Sequence, residues 1–288
     1  MTHQPPFAGK TALIFGGAKG IGKCVALEWA RRGARLAVAD IDEAAALETA
    51  EEIKASGGNA IGLKANVLSE ESIAEAAGVA EAAFGEIDIW MNNVGSMLNG
   101  HPQDIPFAEW QRIMDINYFA AVRGVGYILP KMLARGSGHI VNTASFAGLY
   151  PFAASRVPYT AAKAAVIALS ENLALHAEPQ GVRVSCLIPG PVATNVMDTM
   201  TSWSDDCVMR GPGAELVLML PEEVATKLSD GMRDGGILIA SDDTGWDYVR
   251  QWAADPDAFL KAKMADFAAG RDGKPQVPES VLKAMGAK

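Results

Sequence analysis

Within the apolar stretch PYTAAKAAVIALS, residues 158–170, a phenol and an ammonium, Tyr159 and Lys163, stand four positions apart. On a helix, positions i and i+4 share a face, so the Lys163 ammonium can lie near the Tyr159 hydroxyl. Burial alone raises a tyrosine pKa. Bringing a phenol from about 10 to about 7 requires roughly 4 kcal/mol of preferential stabilisation of the phenolate, and one close cation is of that order. The pair therefore predicts a group that exchanges a proton near neutrality. The competing reading is two amphipathic side chains reaching toward water from a helix edge.

A second chemical signal is the turn FGGAKGIG, residues 15–22, which follows a predicted strand and opens a predicted helix. Gly16, Gly20 and Gly22, with Lys19 and Ile21 between them, would let backbone N–H groups approach a pyrophosphate at the helix amino terminus. The spacing departs from strict G-x-G-x-x-G, and a plain structural turn has the same composition. Asp40 ends the second predicted strand, where a dinucleotide fold sets a carboxylate on the adenosine ribose. There it accepts from a 2′-OH and repels a 2′-phosphate, whereas Lys19 could pair with that phosphate. Like charges about 4 Å apart cost roughly 4 kcal/mol, against about 0.2–1 kcal/mol for an exposed lysine pair. NAD is the favoured cofactor, with NADP possible.

These residues need a scaffold, and the chain supplies alternating apolar runs and helical patterns. TALIF, RLAVAD, AIGLKANV, IDIWMN, HIVNTA and VRVSCLI read as strands, with GGILIA at 235–240 as a seventh. Helices are predicted to about Arg32, over Glu43–Ser56, near Glu70–Phe84, from about Pro106 to Arg135 and around Tyr159. This pattern predicts an α/β fold, a Rossmann-type doubly wound parallel sheet with helices on both faces. The whole chain, 1–288, reads as one catalytic domain with a substrate flap at about 190–220 and a helical extension at about 246–288. Trp246–Ala269 looks helical, and RDGKPQVPES looks like an exposed tail.

Composition narrows the function. With 49% hydrophobic and 20% charged residues the chain can build a sizeable core. Its 25 Lys plus Arg against 34 Asp plus Glu give a net charge of −9, which disfavours nucleic acid and anionic membrane surfaces as partners. The amino-terminal MTHQPPFAGK has no signal-peptide pattern, and no run of apolar residues is long enough for a membrane span, so a cytoplasmic location is expected. Cys24, Cys186 and Cys207 and the four scattered histidines show no metal-ligand spacing.

Together these features make the chain resemble the short-chain dehydrogenase/reductase family over roughly residues 8–195. Gly16, Gly20 and Gly22 match its TGxxxGxG turn, with Phe15 where threonine is usual. Asn92-Asn93-Val94-Gly95 matches NNAG, and Asn66-Val67 falls where the family has Asp-Val beside adenine. Asn117 in MDINYFA, Ser145 in VNTASFAG, and Tyr159 with Lys163 match its catalytic set. Pro189-Gly190-Pro191-Val192-Ala193-Thr194 matches PGxVxT. The resemblance implies that Tyr159 is the general acid/base, that Ser145 holds the substrate oxygen, that Lys163 also binds the nicotinamide ribose, and that Asn117 fixes a relay water. Gly16, Lys19, Gly20, Ile21, Gly22, Asp40, Asn66, Val67, Asn93, Gly95, Tyr159, Lys163, Pro189, Gly190, Val192 and Thr194 become the expected cofactor contacts. It also implies a homodimer or homotetramer through the helices bearing Asn117 and Tyr159, with the small residues Ala120, Ala121, Gly124 and Gly126 at the contact or packed internally.

The expected pocket lip combines Met97, Leu98, Phe146, Tyr150 and Phe152 with the Met- and Trp-bearing flap. Adaptable apolar walls suit a bulky hydrophobic or aromatic secondary alcohol and its ketone. The alternative is that these residues pack against the appended helix or a second subunit. No arginine is obviously placed to clamp a carboxylate or phosphate, Arg156 and Arg210 being the only nearby candidates. The segment after Pro221 is similar to longer family members that oxidise benzylic alcohols in aryl compounds. The competing functions are a non-catalytic dinucleotide sensor, a ketoacyl-type reductase acting on a carrier-bound ketone, and an epimerase that uses NAD transiently.

Overall fold

The computed structural model describes residues 7–194 and 200–286. The first half alternates β1 (Thr11–Phe15), α1 (Gly20–Arg31), β2 (Arg35–Asp40), α2 (Glu43–Ala55), β3 (Asn59–Lys64), α3 (Glu70–Phe84) and β4 (Ile89–Asn92). After the short β5 (Leu98–Asn99) come α4 (Phe107–Met114), a π turn at Asp115–Phe119, α5 (Ala120–Arg135), β6 (Gly138–Thr143), α6 (Phe146–Leu149), α7 (Val157–Ala177) and β7 (Val182–Ile188). The remainder is β8 (Thr201–Ser202), α8 (Pro221–Arg233), β9 (Leu238–Ala240), α9 (Thr244–Ala254), α10 (Pro256–Ala268) and α11 (Glu279–Ala284).

Seven strands form one parallel sheet in the order β3-β2-β1-β4-β6-β7-β9. Each predicted strand is present, and the reason is visible in β1, where all five residues are buried. Ala12 and Ile14 face a layer containing Val25 and Trp29 of α1 and Val224 and Leu228 of α8. Leu13 and Phe15 face the layer of α3, α5 and α7, including Ile73, Ile128 and Leu173. A strand covered on both faces reads as a continuous apolar run. The order reverses between β1 and β4, which opens a crevice at their carboxyl ends, where a doubly wound sheet binds ligands.

Local chemistry sets several helix ends. The Asp42 and Ser69 side chains accept from Ala45 N and Ser72 N at the starts of α2 and α3. The predicted helix over Trp246–Ala269 is two helices. Asp255 accepts from Ala258 N and Pro256 opens α10, so this Asp-Pro step ends one helix and starts another. The expected helix from about Pro106 to Arg135 is helical throughout, but carries the π turn around Asn117.

The tail is not simply exposed. Gly211 N donates to Asp272 O (2.7 Å), Leu218 N to Gln276 O (2.8 Å), and Gln276 N to Leu216 O (2.9 Å). Backbone of the carboxyl-terminal segment thus pairs with the second half of the flap. The flap's first half meets the loop after β4 through the parallel pair β5–β8. Met197, one of the methionines of the expected flap, lies outside the described residues. No described helix is long and apolar enough to cross a membrane, and no group of three or more potential metal ligands occurs among the described residues.

Candidate functional site

The glycine turn sits at the carboxyl end of β1. Gly16 (φ 75°) and Gly20 (φ 54°) occupy the left-handed region that a side chain disfavours. A Cβ on Gly22 would overlap the Gly16 carbonyl oxygen and lie 2.6 Å from Asn93 Nδ2. Lys19, at the N-cap of α1, makes no side-chain cap, and the first turn of the helix holds no acidic residue. Its backbone N–H groups, which lack intrahelical acceptors, therefore form a cradle suited to a pyrophosphate. Ile21 is half-buried and packs toward the α1/α8 layer.

Asp40 stabilises the turn from the end of β2. Its Oδ2 accepts from Ala18 N (3.2 Å) and its Oδ1 from Asp42 N (3.1 Å). Lys19, weighed above as a partner for a 2′-phosphate, is instead 2.6 Å from Asp42 Oδ2. Asp42 raises the Lys19 pKa through hydrogen bonding and charge, and Lys19 lowers that of Asp42 in turn. Two carboxylates against one lysine leave this end of the cradle acidic. Beyond β3, Asn66 Oδ1 accepts from Leu68 N (3.0 Å), so that side chain shapes its own loop. Val67 packs toward the α3 layer.

Asn93 knits the crevice together. Its Nδ2 donates to Gly16 O (2.9 Å) and its Oδ1 accepts from Thr143 Oγ1 (3.0 Å). Both ends of the amide are engaged within the protein, so Asn93 holds the turn in place. At Gly95, a Cβ would stand 3.0 Å from Asn117 Oδ1 and 3.3 Å from Lys163 Nζ, so glycine admits both side chains to the backbone there. The π turn aims Asn117 inward: its Oδ1 accepts from Ser96 N (3.2 Å), and its Nδ2 donates to Ser96 O (2.9 Å) and Ile113 O (2.9 Å).

Tyr159 and Lys163 lie on the first turns of α7, where Pro158 follows Val157 at the helix start. Lys163 is buried, donates to Thr143 O (2.9 Å), and has its Nζ 5.7 Å from the Tyr159 ring centroid. Burial pulls the Lys163 pKa down to about 8. Tyr159 corrects the sequence expectation, because burial raises its pKa. A hydrogen bond with Ser145 and the positive charge of Arg156 oppose that rise without overcoming it. The cation that opposes the rise is Arg156. Ser145 sits at the N-cap of α6, accepting from Ala147 N (3.2 Å). In chemical terms, the cluster is a phenol beside a hydroxyl, backed by a buried amine and an amide, at the carboxyl ends of β4 and β6.

The segment from Pro189 to Thr194, expected at the nicotinamide end, follows β7 and packs beside α6. Pro189 O accepts from Phe146 N (2.9 Å), Gly190 N donates to Ser241 Oγ (2.9 Å), and Val192 bridges Met219. A Cβ on Gly190 would press on the Phe146 ring at 3.0 Å. The expected aromatic lip is differently employed. Phe146, Tyr150 and Phe152 are buried, and Tyr150 stacks on Tyr248 of α9 at 5.2 Å and donates to Pro212 O (3.1 Å). Their packing against the extension is the alternative weighed above. Arg210 turns its guanidinium to α10, 4.7 Å over the Phe267 ring, and so faces away from the crevice.

Sequence reading missed a buried polar chain beneath the site. Trp90 Nε1 donates to Asn92 Oδ1 (2.9 Å), Asn92 Nδ2 to Asn142 Oδ1 (2.9 Å), and Asn142 Nδ2 to Ser170 Oγ (3.1 Å). It also missed Thr143, whose carbonyl and hydroxyl hold Lys163 and Asn93. A polar residue in an otherwise apolar strand was the available signal.

Residues 10–205 match the model of the short chain dehydrogenase family. A 2,5-dichloro-2,5-cyclohexadiene-1,4-diol dehydrogenase, LinX, of Sphingobium indicum is 34% identical over 193 residues, covering 66% of this chain and 77% of that protein. A cyclohexanol dehydrogenase of Acinetobacter sp. is 36% identical over 189 residues, covering 65% of this chain and 75% of its own. Among solved structures, a short chain dehydrogenase/reductase from Burkholderia phymatum in complex with NAD superposes with a TM-score of 0.75 at 25% identity, over 94% of this chain and 99% of that one. The crevice and the sequence matches lead to one conclusion: the chain belongs to the short-chain dehydrogenase family and is an NAD(P)-dependent alcohol dehydrogenase or ketone reductase.

Proposed function

We propose that this enzyme interconverts a bulky hydrophobic or aromatic secondary alcohol and its ketone, with NAD as the preferred cofactor and Tyr159 as general acid/base. The observation that carries this reading is the pairing of Tyr159 with Ser145, with Lys163 and Asn117 meeting at Gly95 nearby. The cradle residues Gly16, Gly20 and Gly22, with Asp40 at the ribose end, would hold the dinucleotide, and Pro189–Thr194 would flank its nicotinamide. When bound, the nicotinamide supplies the two-electron acceptor or donor. Ser145 holds the substrate oxygen against the phenol, Tyr159 gives or takes the proton at its hydroxyl, and Lys163 and Asn117 keep that end of the crevice polar. The preference for a ring-bearing substrate draws support from the ring alcohols named for LinX and the cyclohexanol dehydrogenase.

The test is nicotinamide absorbance across matched small polar, alicyclic and aryl alcohols and ketones, with NAD(H) and NADP(H). We expect kcat/KM for NAD to exceed that for NADP by about tenfold or more, and ring substrates to outrun small polar ones. A wild-type preference for NADP would overturn the reading of Asp40, and faster turnover of small polar alcohols would overturn the substrate class.

A homodimer or homotetramer remains part of this reading. Ala120 and Ala121 are buried, and a Cβ on Gly124 would overlap Asn92 Oδ1, so those small residues serve internal packing. The outer side of α4 and the π turn instead presents Phe107, 74% exposed, and Phe119, 46% exposed. Light scattering on the purified chain should return a dimer or tetramer mass; a monomer at micromolar concentration would count against it.

A further inference from the structure

Buried polar groups in folded proteins are almost always hydrogen-bonded, so a cluster of exceptions asks for an explanation. Among the described residues six buried side-chain N or O atoms lack a partner, and four of them are Asn99 Oδ1, Ser155 Oγ, Arg156 Nε and Thr160 Oγ1. Ser155, Arg156 and Thr160 lie at the start of α7, flanking Tyr159. Asn99 is on β5, which is tied to the same turn by Gly100 N donating to Ser155 O (3.0 Å). Ser155 is 3% and Asn99 5% exposed. Three of these orphaned atoms therefore belong to the stretch of chain that flanks the phenol, and the fourth to a strand whose next residue is bonded to it.

Arg156 is the charge at that place. Its Nη2 donates to Arg210 O (2.6 Å), its Nη1 approaches only the Met97 sulfur at 3.6 Å, and its guanidinium carbon lies 5.7 Å from the Phe152 ring centroid. No carboxylate among the described residues pairs with it, whereas Arg123, which also carries an unpartnered nitrogen, is 2.6 Å from Asp115. Burial lowers the Arg156 pKa, and the neighbouring Tyr159 phenol opposes that. The residue as a whole is half-buried, and its unpartnered Nε is itself enclosed. A guanidinium held by one carbonyl and one thioether, among hydroxyls without partners, is a half-built anion site.

We propose that Ser155 and Arg156 form a carboxylate subsite beside Tyr159, so that the preferred substrate is a hydrophobic alcohol or ketone that also carries a carboxylate. The inference rests on the reading of the cleft given above and deepens its substrate class. Arg156 is the binding charge, while Ser155, whose carbonyl accepts from Gly100 N, supplies the polar wall. The carboxylate would satisfy the guanidinium donors and fix the ring so that its carbinol or carbonyl carbon stands by Ser145 and Tyr159.

The experiment compares kcat/KM for two ketone acids with their neutral methyl esters: 4-oxocyclohexanecarboxylate and 4-acetylbenzoate, each with NADH and NADPH. The wild type should favour the acid over the ester by about tenfold or more on at least one scaffold, the scale of a charge-assisted contact. Arg156→Met should bring that ratio to about one or below, through KM more than kcat, and Arg156→Lys should leave an intermediate ratio. The wild-type ratio needs no variant to fold. Turnover of the esters with a wild-type ratio at or below one on both scaffolds, or a ratio unmoved by Arg156→Met, overturns this subsite alone. No turnover of any ketone with either cofactor overturns the reading of the cleft itself, and the subsite with it.

Discussion

Tyr159→Phe should lower kcat for the preferred alcohol by about 10²–10⁴-fold, the range a positioned general acid or base supplies, and shift the NAD dissociation constant by no more than about threefold. The substitution removes one oxygen and keeps the ring, which packs with Leu98, Ile105, Ile113 and Ala162, so the fold should survive. The loss should therefore appear in kcat and kcat/KM together. The pH dependence follows from the direction of the Tyr159 shift. Burial raises that pKa above its ordinary value, so at neutrality the hydroxyl keeps its proton. A protonated phenol is the acid that ketone reduction needs, whereas alcohol oxidation needs its conjugate base, whose fraction grows about tenfold per pH unit below the pKa. Wild-type oxidation should climb from about pH 7 toward about pH 10, and Tyr159→Phe should lack that limb. Residual turnover within about tenfold of wild type would remove Tyr159 from the proton-transfer role.

The contrast between Tyr159 and Arg156 marks how far sequence carries this site. Tyr159 and Lys163 were legible because helical spacing alone brings positions i and i+4 together. Arg156 reads in the sequence only as a nearby arginine, and the same rule could not place it, because it is the N-cap of α7 with non-helical backbone. The outcome of the electrostatics was not legible, because it depends on how deeply Lys163 is buried and on its bond to Thr143 O. The sheet was legible because strands covered on both faces read as apolar runs, as in β1. Phe146, Tyr150 and Phe152 were ambiguous, since an apolar residue after a strand looks the same whether a ligand or a helix covers it. Tyr248 covers Tyr150 here. The docking of the tail on the flap was hidden for another reason: its bonds run backbone to backbone, from Gly211, Leu218 and Gln276, and composition carries no record of them. The Asp255-Pro256 break was open to view, since an N-cap followed by proline marks a helix start.

The second large effect is expected at Gly22, where the cofactor reading depends on space more than on charge. The methyl group added by Gly22→Ala would overlap Gly16 O and crowd Asn93 Nδ2, which itself holds Gly16 O at 2.9 Å. Either the turn shifts away from the helix start, or Asn93 leaves it and releases Thr143 Oγ1 as well. Both responses move the N–H groups that would face the pyrophosphate, so the substitution should weaken NAD binding by about 100-fold or more, read by calorimetry or by quenching of tryptophan fluorescence. Gly78→Ala serves as the control. Gly78 lies within α3, a Cβ there meets nothing within 4 Å, and alanine should add roughly 0.5–1 kcal/mol of stability with no change in NAD affinity. If the Gly22→Ala chain remains folded and binds NAD within about threefold of wild type, the dinucleotide does not approach this turn. Asp40 would then lose its assigned ribose, since the two are placed by the same strand ends.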